Sequence, residues 1–234
     1  MNTGRIIVYG DIHGCLDEFI ALRKKVNPNS NDVEICVGDI LTRGPKDLEA
    51  LQYVMQENIS SIRGNNDDVF LRFRYESYED INHSPKSYQK AYNTLQRMTS
   101  KEFSFIEKMP FFHKINNLTI IHGGLQPDIN LDSASIDELQ LTTRISYLNH
   151  EYKYVKPRDR ENHIYHWSDI YDGREGFVVY GHHVFDEGKR DKHSLGIDTG
   201  CVFGGKLTAA VFSVLDNTVD VENCLLVYQN AYKA

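Results

Sequence analysis

Residues 5–14 read RIIVYGDIHG, an apolar run (Ile6–Tyr9) broken by Gly10-Asp11 and closed by His13-Gly14. The same design returns in VEICVGDILTRG at 33–44 and in ISSIRGNND at 59–67. A short β-rich run that stops at a polar, glycine-bearing turn reads as a strand delivering chemistry at its carboxyl end. Between these runs, Leu16–Val26 and Asp47–Gln56 carry apolar residues at helical spacing. Strand–helix–strand repetition of this kind implies an α/β fold with a mostly parallel sheet, in which ligands gather where the strands end.

Further along, residues 68–110 read as mainly helical, with Phe70, Phe73, Arg74 and Tyr88, Tyr92, Leu95 at helical spacings and a break expected at Ser84-Pro85. The aromatic stripe is expected in the core. Leu118–Ile121 and Phe177–Tyr180 are two more strands, ending in His122-Gly123-Gly124 and Gly181-His182-His183. Ser194–Asp198, Lys206–Leu215 and Asn223–Gln229 close the chain as β-rich runs, the last two joined antiparallel through a turn at Asp216-Asn217. Tyr147–Tyr171 interleaves aromatic and basic residues. It reads as a solvated loop, with an embrace of an anionic, ring-bearing ligand as the alternative.

The whole chain, 1–234, is expected to form one domain: 41% of it is hydrophobic and 25% charged, enough for a proper core. The formal charge of −7 leaves no cationic surplus for non-specific nucleic-acid or anionic-membrane binding. No apolar stretch is long enough for a membrane span. The four cysteines are scattered without a C-x-x-C pair, so a cytoplasmic, reducing setting is expected.

Asp11 and His13 stand two apart at the end of one strand, and Asp39, Asn65, His122 and His182 each follow another. Carboxylate, amide and imidazole donors meeting at one edge suit two divalent cations, with no need for cysteine. Cations roughly 3.5–4 Å apart can bridge a hydroxide and clamp a phosphate for in-line attack. Asp39, midway in the set, is the natural bridge, and Arg43 in the same loop is placed to grip a phosphoryl oxygen. His83, His113, His150, His163, His166 and His193 are expected to be surface or satisfied polar residues, Asp67 and Asp68 a helix cap and first turn, and Cys201 packing.

GDIHG, GDILTRG, GNND, HGG and GH, in this order, resemble the phosphoprotein-phosphatase branch of the calcineurin-like metallophosphoesterases. HGGLQPD at 122–128 and GIDTGCVFGGKLTA at 196–209 resemble its bacterial members, among them serine/threonine phosphatases and symmetrical diadenosine tetraphosphate hydrolases. The resemblance implies a β-sandwich flanked by helices with a dimetal site at the strand C-terminal edge. It implies Asp11, His13 and Asp39 on one metal, and Asp39, Asn65, His122 and His182 on the other. Arg43 matches the family's phosphate-binding arginine; for a second such arginine Arg174 is the first choice and Arg144 the reserve. Mn²⁺ is the usual activator in those members, and Fe or Zn²⁺ would suit the same donors.

Two positions depart from the family pattern. Thr42 and Asn66 stand where it has the Asp and His of a dyad that protonates the leaving oxygen. The Asn66 amide donates a hydrogen bond but delivers no proton, and His183, beside a ligand, is the candidate substitute acid. Loss of a general acid, worth ~10²–10⁴-fold, points to stable leaving groups: nucleotide polyphosphates, aryl phosphates or phosphodiesters before phosphoserine. A small phosphorylated or nucleotide substrate is therefore the leading expectation. A phosphoprotein, a phosphodiester, or a weakened metal- and phosphate-binding sensor are the alternatives.

Overall fold

The computed structural model describes residues 4–74 and 86–232. The expected break at Ser84-Pro85, His83 and the side chain of Tyr88 lie outside what is described. The first third alternates β1 (Arg5–Tyr9), α1 (Leu16–Val26), β2 (Val33–Cys36), α2 (Asp47–Gln56), the two-residue β3 (Ser60–Ser61) and α3 (Asn65–Phe73). After α4 (Lys86–Leu95) and α5 (Ser100–Lys108) come the hairpin β4 (Phe112–Ile115) and β5 (Leu118–Ile121), then α6 (Ile136–Thr142). A small ribbon, β6 (Tyr147–Leu148) with β7 (Tyr165–His166), precedes β8 (Phe177–Tyr180), β9 (Lys189–Arg190) and β10 (Ser194–Gly196). The chain ends in β11 (Lys206–Leu215), β12 (Thr218–Val219) and β13 (Leu225–Asn230).

These strands form two sheets rather than the single, mostly parallel one that strand–helix alternation suggests. One runs β12-β11-β1-β2-β3, with β13 also paired to β11; the other runs β4-β5-β8-β10-β9. Parallel pairing is confined to β1, β2 and β3 in the first and to β5, β8 and β10 in the second. The last third supplies the difference: β11 returns antiparallel beside β1, with Val8 opposite Ala210.

The position of β1 between two layers explains why Ile6–Tyr9 are all apolar or aromatic. Ile6 and Val8 face the second sheet and pack with Ile35, Val37, Ile120, Val179, Leu195 and Ile197. Ile7 and Tyr9 face the other way, into a layer with Phe19, Leu22, Leu51, Val54, Phe70 and Phe73 from the helices. A strand covered on both faces needs both its residue sets apolar, and each fully buried aliphatic stabilises by roughly 1.5–3 kcal/mol. The stripe residues Phe70, Phe73 and Leu95 are core, as expected. On the far side of the second sheet, Ile121, Val178 and Tyr180 pack under Trp167, Leu125 and Leu131. Among the described residues no helix is long and apolar enough to cross a membrane.

Candidate metal centre

The C-terminal ends of β1, β2, β5 and β8 meet at one edge of the sandwich, and each carries a motif residue just beyond it. Two groups of donors result, Asp11 with His13 and Asp39, and Asp39 with His122 and His182; within each, one ligand atom per residue lies within 4.8 Å of the others. Asp39 belongs to both. Its Oδ2 is 3.6 Å from His13 Nε2 and 3.4 Å from His122 Nε2. His13 Nδ1–H donates to Leu41 O at 3.0 Å and His122 Nδ1–H to Val37 O at 2.8 Å. Those bonds leave the Nε2 lone pairs facing the cluster, the usual way a protein fixes the tautomer of a ligating histidine.

The backbone is bent to make this convergence. His13, Asp39, Thr42, Arg43 and His182 all have positive φ, between 46° and 75°, at a cost of about 1–3 kcal/mol each. Gly64 and Gly181 allow close approach: a Cβ on the first would strike the Asp39 carboxylate, and on the second that of Asp11. Asp67, which sequence reasoning treated as part of a helix start, has a larger task. Besides accepting from Gly64 N (3.0 Å) at the head of α3, its buried carboxylate accepts from Asp39 N (2.7 Å), Ile40 N (3.0 Å) and Leu41 N (3.2 Å). It thereby clamps the loop that carries Asp39 onto α3. Its place three residues after Gly64 was the available signal.

Charges in the cluster are strongly coupled. Burial favours the neutral form of Asp39, but the His122 imidazole, hydrogen-bonded to it, and His13 hold its carboxyl far below the usual range. Burial likewise opposes charge on His122, yet Asp39 and Asp11 push it up to about 10. Burial and then Asp198 raise the Asp11 carboxyl well above its ordinary value, while burial and His122 lower His182 to about 3. A buried carboxylate thus holds positive charge on a neighbouring imidazole, charge that a cation would supply while releasing the proton. The Asn65 amide ends 3.1 Å from His122 Nε2 and 2.8 Å from His182 Nδ1. Hydrogen bonding alone would turn its NH₂ towards those nitrogens, whereas a cation shared by the three residues would turn its oxygen there. The mixed carboxylate, amide and imidazole donors, with no thiolate among them, fit hard-to-borderline divalent ions.

The two departures from the family pattern have other work. Asn66 donates to Asp39 twice, from its backbone N–H to Oδ1 at 2.8 Å and from Nδ2 to Oδ2 at 2.5 Å. Thr42 Oγ1 lies 3.4 Å from His13 Nδ1. Arg43 is exposed, its charge is felt at His13, and its guanidinium stands 5.4 Å over the Phe203 ring. His183 borders a cavity beside His182, with Nε2 3.4 Å from the Tyr147 hydroxyl.

Arg174 is a correction. It precedes β8, so it sits at the end of that strand opposite His182, tied to Asp172 Oδ1 (2.9 Å) and Gln126 O (2.6 Å). Arg144 instead lines the cavity that His182 and His183 border. Asp198, just beyond β10, was also passed over, although it closes a further strand with the same kind of turn; it is buried, its carboxyl raised by burial, and accepts from Gly200 N at 3.0 Å.

A β-sandwich holding a paired carboxylate–imidazole centre at its strand ends defines a metal-dependent phosphohydrolase. The chain belongs to the calcineurin-like phosphoesterase family, whose pattern spans residues 4–221. Membership makes it a hydrolase of phosphate esters or anhydrides and implies a dinuclear divalent-metal centre. It is similar to bis(5'-nucleosyl)-tetraphosphatases PrpE [asymmetrical] from Geobacillus, 29% identical over 94% of this chain and 95% of the relative, and from Bacillus cereus, 31% identical over 93% and 94%. These relatives are named asymmetrical, where the motifs alone resembled symmetrical enzymes. In three dimensions it shares its fold with a structure assigned as a diadenosine tetraphosphatase, at TM-score 0.79 and 22% identity, covering 99% of this chain and 96% of the other. A serine/threonine phosphatase from Saccharomyces cerevisiae matches at TM-score 0.63 and 17% identity, over 100% and 82%.

Proposed function

We propose that this chain hydrolyses nucleotide polyphosphates, with Asp11, His13 and Asp39 holding one divalent cation and Asp39, Asn65, His122 and His182 holding the other. The observation that carries the reading is the shared position of Asp39 between two donor groups, every member of which but the half-buried His182 is buried. Mn²⁺ is the preferred occupant of both sites because it is the usual activator in the bacterial members that the motifs resemble; the mixed O/N donors themselves suit Mn²⁺, Fe and Zn²⁺ alike. When bound, such a pair supplies a nucleophilic water at neutral pH and offsets charge on the phosphoryl group.

The chain's own residues do the rest. Arg43, beside His13, and Arg144, whose charge is felt at His182, grip non-transferring phosphoryl oxygens in the bidentate manner of a guanidinium. Asn66 holds both oxygens of Asp39 in place and gives up no proton. His183, beside His182, is at most a weak substitute acid, because burial and then His163 and Lys189 lower its pKa. With no carboxylate–histidine dyad at 42 and 66, the site favours leaving groups stable as anions, which selects an anhydride over a phosphoserine ester. The names of the similar enzymes support the same substrate class. Residues 1–234 act as one catalytic unit, supported by an inter-sheet core that draws on both ends of the chain. The free thiols of Cys15, Cys36, Cys201 and Cys224 suit the reducing cytoplasm.

The test is parallel hydrolysis of a dinucleoside tetraphosphate and a phosphoserine peptide by Mn²⁺-loaded protein. A preference of about 10²-fold or more for the anhydride is expected, the scale of a missing general acid. Equal turnover of the two contradicts the reading.

A further inference from the structure

Against His182 lies a cavity of about 460 Å³, walled by Arg144, Tyr147, Arg160, His163 and His183 among others. Its lining contains no carboxylate, although the chain carries 33 acidic residues against 26 basic ones. Among the described residues neither Arg144 nor Arg160 has an acidic partner. Guanidinium groups left without a carboxylate in a concave site are docking points for an external anion. Two of them share one wall here.

The aromatic part of the wall is already packed together. The His163 ring stacks on Tyr147 with centroids 4.5 Å apart and planes 7° from parallel. Its Nε2–H donates to Lys156 O at 3.1 Å. Tyr147 in turn is braced edge-on by His166 at 5.5 Å and by His183 at 5.2 Å. A pair fixed in this way offers a flat ring surface with little ordering left to do on binding. The volume falls within the range of small-ligand sites and exceeds what a single phosphoryl group fills. The sequence showed the same interleaving of rings and cations.

Resting on the nucleotide reading above, we propose that this cavity is the nucleoside subsite: the base stacks on the His163–Tyr147 pair, and Arg160 holds the phosphate next to the one Arg144 grips. The stretch read from sequence as a solvated loop is then the wall that distinguishes a nucleotide from a simple phosphate ester.

Competitive inhibition of p-nitrophenyl phosphate hydrolysis, by ADP and by inorganic phosphate, tests this in the Mn²⁺-loaded protein. ADP should inhibit about tenfold or more tightly than phosphate, the scale of one base–aromatic stack. In Arg160→Ala and in His163→Ala that advantage should shrink by about tenfold, and Arg160→Lys should recover part of it. Equal inhibition by the two anions in the unaltered protein, or an ADP advantage kept in either alanine variant, overturns the subsite. So does an equal loss of ADP and phosphate binding in Arg160→Ala, because the arginine would then act on the terminal phosphoryl group alone. The reading on which it rests fails differently, by cleavage of p-nitrophenyl phosphate without any cleavage of a dinucleoside tetraphosphate.

Discussion

Asp11, His13 and Asp39 all hang from loops of the first sheet, whereas His122 and His182 leave the second sheet and reach Asp39 across the sandwich. The first half of the centre is therefore built locally: β1 and β2 are neighbours, and His13 is anchored to Leu41 in the loop that carries Asp39. The second half depends on how the sheets pack. His122 is anchored to Val37 at the end of β2, and the His182 N–H donates to both Asp11 oxygens at 3.2 Å. Those side-chain-to-backbone bonds pin the second sheet's loops to the first. One half should follow local loop geometry, then, and the other the integrity of the inter-sheet core, with Asp39 as the seam.

Breaking the seam should have the largest effect. Asp39→Asn is expected to lower hydrolysis of p-nitrophenyl phosphate by more than the ~10²-fold that removal of an outer-shell partner can cost, because it weakens both halves together. Asp67→Asn comes next: one amide oxygen cannot replace a carboxylate that receives four backbone N–H groups. A loss of roughly 10–100-fold in activity or metal affinity is expected, measured by steady-state rates across a Mn²⁺ titration. Ile120→Val, in the core between the sheets, should cost about 0.5–1.5 kcal/mol in a denaturant titration. It should also weaken the His122–His182 half before the Asp11–His13 half, seen as splitting of the metal-binding isotherm.

The smallest effect lies far from both halves. Burial would raise the Asp32 carboxyl, but the Arg5 side chain, donating at 2.6 Å, with Arg5 N and Asn29 N, brings it down to about 2. A folded value below the unfolded one, about 3.9, gives stability that is present above pH ~4 and lost as the pH falls towards ~2. Asp32→Asn should flatten that part of the acid limb in denaturation curves at different pH. Metal stoichiometry should not change.

How much was legible in the sequence follows the same division. The bounds of β1, β5 and β8 could be read because apolar runs end abruptly at Gly-Asp, His-Gly or Gly-His, and those of α1, α2 and β11 from their apolar patterning and the turn residues that follow. The convergence of Asp11, His13, Asp39, His122 and His182 was legible for a related reason, since a strand end fixes a side chain's position without any knowledge of the partner strand. The two-sheet arrangement was legible only through the family resemblance, not from strand–helix alternation, because β11 pairs with β1 across some two hundred residues and alternation within β1 looks alike in either arrangement. Arg144 could not be told from Arg174, because the choice depends on which end of β8 meets the site. Residues 144–166 have irregular backbone and no periodicity, so the cavity they wall, with His163 in it, becomes visible only when folded. Asp67 looked like a helix cap because it is one; its hold on Asp39 crosses from α3 to the β2 loop.

The most direct measurement is elemental analysis of Mn²⁺-loaded protein in the unaltered chain, His13→Ala, His182→Ala and Asp39→Asn. Two ions per chain are expected in the first, about one in each histidine variant, and fewer than one in Asp39→Asn. A single ion in the unaltered chain, or two retained without the Asp39 carboxylate, would contradict a centre built on a shared aspartate.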